Sequence, residues 1–373
     1  MYSFKNKRDG VDSFALGPNG IIEVVDGEFT KPLENLDLNK YFLNTDNLIT
    51  IYRAGPLLCV AQSMVNEDAV GVLYSFEKQA VLFATSDQSE KLYANFGDMT
   101  NAGFVGVSVA EKNSTVRLIS ISDGSVTNAL INPYMTSDCG QYLYERPINE
   151  NTVRKYDFDG NLQWEIFADT HEIVQRLGAP KPNYLGVIIG EREGQFWYQE
   201  GSGVVKAVNS DTGELELSIG SEESDLAPGK KQREGEQLYG TFSYIFSENK
   251  DRLFGMGGQL YTEIDLTVED PRRKVYNCQD SLSEHGMRFG VYGPSHPVID
   301  NKLIICDNRN GMLGAFDLAS KKISWSLNMF PDRGPEFTMP QIYEFVSHKD
   351  SLYVMTRSGT VDRGTLLTFQ RCS

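Results

Sequence analysis

No run in the sequence approaches the roughly 18 consecutive apolar residues of a membrane helix, and the most apolar stretch, Tyr184 to Gly190, is strand-sized. Helical membrane insertion is excluded on that pattern, and no membrane partner is expected. Cysteine is sparse: Cys59, Cys139, Cys278, Cys306 and Cys372 are odd in number, scattered, and never in Cys-x-x-Cys spacing. They signal neither a disulfide framework nor a zinc site. Behind the basic opening Met1 to Arg8 there is no apolar region of the kind a secretory signal needs, so the expectation is a cytoplasmic protein. Basic residues fall short of acidic ones, 35 Lys and Arg against 51 Asp and Glu, for a formal charge of -16. Such a field repels a phosphate backbone, which disfavours nucleic acid and makes a cationic protein the natural partner.

The chain is well supplied with core material and turns. Hydrophobic residues make up 40% of its 373 residues and aromatics 11%, which suits a globular protein, and 34 glycines against 14 prolines imply many tight turns. A two-strand hairpin pattern returns about every 37 to 55 residues, the interval expected of propeller blades. Its clearest copies run Val153 to Ile166, Val205 to Ile219 and Leu313 to Leu327; weaker ones run Val72 to Phe83, Val116 to Leu130 and Leu260 to Asn277. Thr365 to Phe369 supplies a first strand with no second one after it. Each copy alternates on both sides of a turn such as Asp-Gly or Asp-Thr-Gly, because such residues tolerate the positive φ of tight hairpins.

Upstream of the hairpins lie further pairs of short apolar runs. Examples are Tyr184 to Gly190 with Gln195 to Gln199, Phe242 to Phe246 with Arg252 to Met256, Pro297 to Ile299 with Lys302 to Cys306, and Ile342 to Val346 with Ser351 to Met355. The expected fold is all-β: a single seven-bladed β-propeller over residues 1–373, built of four-stranded antiparallel blades. Its ring would be closed by an N-terminal strand within about 13–25 that completes the last blade and hides an open sheet edge. Gly20 to Val25 is the first choice for that strand and Phe14 to Leu16 competes with it; the segment Thr30 to Tyr41 has no evident place.

The hairpin with Asp before a Thr-Gly or similar turn and Trp six or seven residues later resembles the repeat of quinoprotein-like propellers, the PQQ-like repeat. The resemblance covers most of the chain and its repeats are degenerate. It implies that Trp164 and Trp325 pack between neighbouring blades, while the equivalent place near Leu217 has lost its tryptophan. The quinone-dependent members resemble one another in an adjacent cysteine pair and an export signal. This chain shows neither, and no cofactor is carried over.

Candidate chemistry reduces to structural readings. Asp211-Thr-Gly213 occurs once, in a hairpin turn, whereas an aspartic protease needs two such carboxylates. Gly255-Met-Gly-Gly258 lacks the Lys-Ser or Lys-Thr of a phosphate loop and reads as a turn between strands. Among His171, His285, His296 and His348 only His285 and His296 share a loop, Gln279 to Pro297; a metal or acid/base role there competes with the plainer reading of exposed loop histidines. No Gly-x-Ser-x-Gly elbow nominates a catalytic serine. No catalytic, cofactor-binding or metal-ligating residue is assigned, and the protein is read as a non-enzyme.

Connection lengths say more than motifs. The crossings Ser86 to Gly103, Ala168 to Asn183, Gly220 to Thr241, Cys278 to Pro297 and Met329 to Gln341 are long, and strand alternation puts all of them on one rim with the middle hairpin turns. Asp169 and Glu172 have capping-box spacing ahead of an Ile173, Val174 and Leu177 stripe, so a short helix is expected at Ala168 to Pro180. Candidate partner-binding residues on this rim are Glu222, Glu223, Asp225, Lys230 and Arg233 in a mixed charge run, His285 and Arg288, and Arg333 with Phe337.

The leading expectation is a non-enzymatic protein-binding propeller that grips another, basic protein such as a toxin or effector. One concrete form is a cytosolic immunity protein that neutralises a secreted bacterial toxin, by analogy with soluble acidic propellers. The rivals are a lyase, lactonase or glycan hydrolase with a funnel site, and a scaffold subunit of an assembly.

Overall fold

Period-two segments joined by Asp, Asn and Gly turns fold into antiparallel sheets. The structure is a computed structural model that describes residues 2–42, 48–62, 70–88, 92–99, 104–109, 116–126, 137–139, 142–145, 152–157, 161–167, 185–200, 204–219, 243–247, 249–257, 259–289, 298–307, 310–331, 341–357 and 363–372. The chain opens with β1 (Tyr2–Gly17), β2 (Gly20–Val25), β3 (Glu28–Phe29) and the short helix α1 (Leu38–Tyr41). Next come β4 (Ile49–Ala54), β5 (Leu57–Gln62), β6 (Val70–Ser75) and β7 (Ala80–Ala84), followed by β8 (Leu92–Met99), β9 (Phe104–Val109) and β10 (Val116–Ser120). The middle holds β11 (Ser137–Cys139), β12 (Tyr142–Glu145), β13 (Thr152–Tyr156), β14 (Leu162–Phe167), β15 (Leu185–Arg192), β16 (Gln195–Glu200), β17 (Val204–Asn209) and β18 (Leu215–Ile219). Then follow β19 (Ser243–Phe246), β20 (Arg252–Gly257), β21 (Leu260–Asp265), β22 (Arg273–Asn277) and helix α2 (Gln279–Glu284). The chain ends with β23 (Val298–Ile299), β24 (Lys302–Asp307), β25 (Met312–Asp317), β26 (Lys322–Asn328), β27 (Gln341–His348), β28 (Ser351–Arg357) and β29 (Gly364–Arg371).

Among the described residues five sheets are four-stranded with neighbours in chain order: β4–β7, β11–β14, β15–β18, β19–β22 and β23–β26. That is five where the sequence reading expected seven. Strands β8–β10 form a three-stranded sheet, and a six-stranded sheet runs β27, β28, β29, β1, β2, β3. In the former, the described part of the hairpin expected at 116–130 carries the bridge Ile119↔Val126, and 127–136 lie outside the described residues. The expected crossing at 86–103 is in large part the strand β8. Its register breaks between Tyr93/Phe96 and Phe96/Met99, and these bulges hide the period-two signal.

An N-terminal strand does join the last sheet, as expected, but through a different segment. Tyr2 to Val11 pair with Arg371 to Gly364, so the N-terminal half of β1 adds to the last strand of the chain. The two segments named for that role pair with each other instead, Phe14↔Glu23, Ala15↔Ile22 and Leu16↔Ile21. An outer strand with its side chains in solvent needs no apolar alternation, so the polar run at 3–9 gave no strand signal.

Packing divides the chain into two units. Arg146–Arg154 and Gln163–Pro340 make the bulk of one, and Tyr2–Glu145, Lys155–Leu162 and Gln341–Ser373 make the other. In the first, successive sheets share their cores. Trp197, Val205 and Ala207 pack with Tyr244, Leu253 and Ile264, and on the next interface Phe254 and Tyr261 pack with Leu303, Ile305 and Phe316. Trp164 donates its indole N–H to Ser210 O (2.9 Å), the turn of the following sheet, the inter-blade place that the repeat implies.

In the second unit, Leu57, Cys59 and Phe83 pack with Val105, Val107 and Ile119. The segment with no evident place in the sequence covers the other side of the β4–β7 sheet, where Leu36, Leu38 and Phe42 meet Ile49, Val60 and Tyr74. Second strands such as β5 are buried on both faces, as a strand between two stacked neighbours must be.

The turns carry the Asx chemistry that their sequences promise. Asp317 accepts from the Ala319 and Ser320 N–H groups (3.1 and 2.7 Å), Asp265 from Thr267 N–H (3.0 Å), Asp123 from Ser125 N–H (3.0 Å) and Asn209 from Thr212 N–H (3.1 Å). Hydrogen bonds from Ser125, Thr267 and Ser320 hold the carboxyls of Asp123, Asp265 and Asp317 below the usual carboxylate range. Gly124 is required at its turn: its φ is +78°, and a Cβ there would run into the Leu82 carbonyl.

Candidate functional site

Helix α2 occupies the crossing ahead of β23, where the sequence showed only a loop. Leu282, Met287 and Phe289 turn inward onto Phe254, Leu303 and Phe316, which supplies the burial a six-residue helix needs. Ser281 Oγ accepts from Ile323 N–H (2.8 Å) and His285 Nδ1 lies 2.8 Å from Ser326 Oγ, so the helix is clipped along β26. Gly286, at φ +64°, reverses the chain and lets Met287 N–H return to Leu282 O (2.8 Å). Burial beneath this helix pushes the Cys278 thiol up to about 11, which keeps it protonated and unreactive.

A buried carboxylate then fixes the tail of the crossing. Asp307, the last residue of β24, is 2% exposed. Its Oδ2 accepts from Arg288 N–H (2.8 Å) and from Asn310 Nδ2 (2.9 Å), and its Oδ1 accepts from Asn310 N–H (3.2 Å). Asn310 Nδ2 also donates to Gly286 O (3.1 Å). One side chain thereby ties the β22–β23 crossing to the β24–β25 turn, which puts crossing and middle turn at the same end of this sheet. The backbone at 286–288 is held while the Arg288 side chain stays exposed.

A second polar cluster lies in the other unit, where β1 meets β28. Asp12 is fully buried. Its carboxylate accepts from Arg363 Nε (2.8 Å) and Gly27 N–H (2.9 Å), and its carbonyl from the buried Arg357 guanidinium. Arg363 reaches Asp26 as well (3.0 Å). Glu344 on β27 faces the same arginine; burial pushes its carboxyl up to about 7, with the attraction of Arg357 pulling the other way. Next to Asp12, Ser13 Oγ donates to Ile49 O and accepts from Ile51 N–H, both at 2.8 Å, and so closes the edge of β4.

Of the residues nominated from sequence, His285 and Arg288 fall on one short segment beside Asp307. Glu222, Glu223, Asp225, Lys230, Arg233, Arg333 and Phe337 lie outside the described residues, as do His296 and the helix expected at 168–180. Sequence reasoning missed Asp307, Asn310, Asp12, Arg357, Arg363 and Glu344. Among the described residues no carboxylate completes a triad with His285 and Ser326, and no group of three or more His, Cys, Asp or Glu side chains has metal-binding geometry. No helix among them is long and apolar enough to cross a membrane.

No protein-family model matches the chain, and no curated protein does. Solved structures do. BamB from Moraxella catarrhalis is 11% identical, with 99% of this chain and 100% of that one covered at a TM-score of 0.56. The computationally designed Ika8 protein is 9% identical over 99% and 98% of the two chains, TM-score 0.55. The β-propeller domain of Myceliophteria thermophila Cps50 (Swd1) is 10% identical over the whole of both chains, TM-score 0.51. Identities this low speak to fold alone. Consecutive up-and-down antiparallel sheets, matched along the whole chain by these structures, make the protein an all-β propeller with four-stranded antiparallel blades.

Proposed function

We propose that the protein is a non-enzymatic, cytoplasmic binding propeller, whose long-connection rim grips a basic protein partner. The observation that carries this reading is the segment 285–289. A buried carboxylate fixes its backbone, and it offers the exposed Arg288 and the partly exposed His285 from a rigid base. Preorganised loops on a stiff scaffold bind with little ordering cost, which is what a recognition surface needs. The formal charge of -16 supports a cationic partner, because it speeds encounter and weakens with salt. Glu222, Glu223, Asp225, Lys230 and Arg233, with Arg333 and Phe337, extend the proposed surface. A cytosolic immunity protein that neutralises a basic toxin is the concrete form of this proposal.

The test is affinity capture of the tagged protein from its native lysate at moderate salt, with mass spectrometry and a metal assay on one sample. One stoichiometric basic protein is expected. Capture should fall on deleting residues 222–236, in the Arg333→Ala/Phe337→Ala variant and in Arg288→Ala, the last by up to about thirtyfold if the Arg288 guanidinium meets a carboxylate or carbonyl of the otherwise basic partner. Unchanged capture in all three variants refutes the rim, and a bound divalent ion with no partner refutes the non-enzymatic reading.

A further inference from the structure

Strand β1 consists of two halves with opposite characters. Residues 11–15 are at most 4% exposed, anchored by the Asp12 cluster and the Ser13 hydroxyl. Residues 3–9 are exposed at every position, on both faces of the strand. Between them stands Gly10, at φ +74°, with register shifts at Asp9/Val11 and Val11/Ser13.

Little besides backbone pairing with β29 holds the outer half. Side-chain contacts are few and at the surface: Lys5 to Gln370 (3.1 Å), Thr365 to Asp9 (2.6 Å), the Arg8–Glu23 ion pair, and Phe4 edge-on to Phe369 while itself 54% exposed. Tyr2 alone is buried, at the far end, where it fixes the register. A ladder of this kind is indifferent to which chain supplies the strand. The segment carries Lys5, Lys7 and Arg8 against Asp9, whereas the whole chain is strongly acidic, so its charge favours the body of another copy as much as its own.

We propose that residues 2–9 form an exchangeable strand, and that the β29 edge accepts the same strand from a second copy of this chain in a two-fold strand-swapped dimer. Residues 11–17 stay in place as the fixed root, and Gly10 takes up the change in direction. An edge that a neighbour's strand can fill is also protected from indiscriminate sheet addition.

Ser3 and Gln370 face each other in the ladder, which supplies the test. Ser3→Cys and Gln370→Cys are made in separate chains, both with Cys372→Ser because Cys372 is exposed two residues from Gln370. The two are mixed, incubated at high concentration and oxidised mildly; a third chain carrying both cysteines reports the strand in its own sheet. A covalent heterodimer, formed only in the mixture and increasing with protein concentration, is the expected result. A double variant that links only within its own chain, with no heterodimer in the mixture at any concentration, overturns the proposal. So does failure of the double variant to link at all while the chain remains folded.

Discussion

Replacing Glu344 by glutamine should stabilise the protein, and by an amount that depends on pH. Glu344 sits on β27 opposite Met355, close to Arg357, in a site where burial outweighs the arginine's attraction and pushes the carboxyl from its ordinary value of 4.5 up to about 7. Below 4.5 the group is protonated folded and unfolded alike, and nothing is lost. Between 4.5 and about 7 the unfolded chain ionises this carboxyl while the folded state keeps it protonated, so stability falls by roughly 1.4 kcal/mol per pH unit across that window and levels off once the folded carboxyl ionises above 7. The penalty is under about 1 kcal/mol at pH 5, about 2 at pH 6 and about 3 above pH 7. Glutamine keeps the shape of the protonated acid and never ionises. Urea denaturation of parent and Glu344→Gln between pH 5 and 8.5 should therefore give stabilities that diverge up to about pH 7 and run parallel above it. A difference that stays flat across the range, or a glutamine variant less stable at pH 8 than at pH 5 relative to the parent, refutes the reasoning.

Acid should act in the opposite sense at the turns: the carboxyls of Asp123, Asp265 and Asp317 are held below their ordinary 3.8, so their contribution is present above that value and is lost as pH falls through the lowered ones. Low-pH denaturation of a triple Asp→Asn variant should be less pH-dependent than that of the parent. Ser13→Ala removes a hydroxyl that serves one N–H and one carbonyl of β4 and should cost about 1–3 kcal/mol in denaturant midpoint at unchanged slope. Trp164→Phe loses the bond to Ser210 O and should cost about 1–2 kcal/mol, with faster amide exchange in the β17–β18 turn. Asp307→Ala leaves the Arg288 and Asn310 N–H groups without their acceptor, and should cost about 2–4 kcal/mol and release exchange protection at 286–289; protection equal to the parent's would show that the carboxylate does not hold the segment.

The repeat was readable because its turns are chemically constrained. Asp-Thr-Gly at 211–213 and Asp317 with Ser320 announce hairpins whose strands then appear in register, Val205↔Ile219 and Leu313↔Leu327. What stayed hidden was structure without that signature. Strand β8 breaks its own period with two bulges, α2 is too short to show a 3.6-residue stripe, and the outer half of β1 has no buried face from which a pattern could arise. Hydrophobic periodicity reports only elements that have an inside and an outside, and an outer edge strand lying wholly in solvent has no such contrast.

The polar clusters follow a rule that the sequence does carry. Gln62, Asp307 and Arg357 are each the last residue of the second strand of their sheet, and each is buried, at 0%, 2% and 4% exposed. In sequence each closes an apolar run, Leu57 to Ala61, Leu303 to Cys306 and Leu352 to Met355 with one threonine between. A polar group is kept at the end of a strand buried on both faces only where it makes hydrogen bonds there, since burial without them is costly. For Asp307 those bonds go to the neighbouring crossing and the middle turn, and for Arg357 to Asp12 at the root of β1. Histidines and long loops drew attention to the right end of the β23–β26 sheet, but the residues that give it a fixed shape are these strand-end polar groups. Apolar runs closed by a charged or amide side chain mark them in the sequence itself.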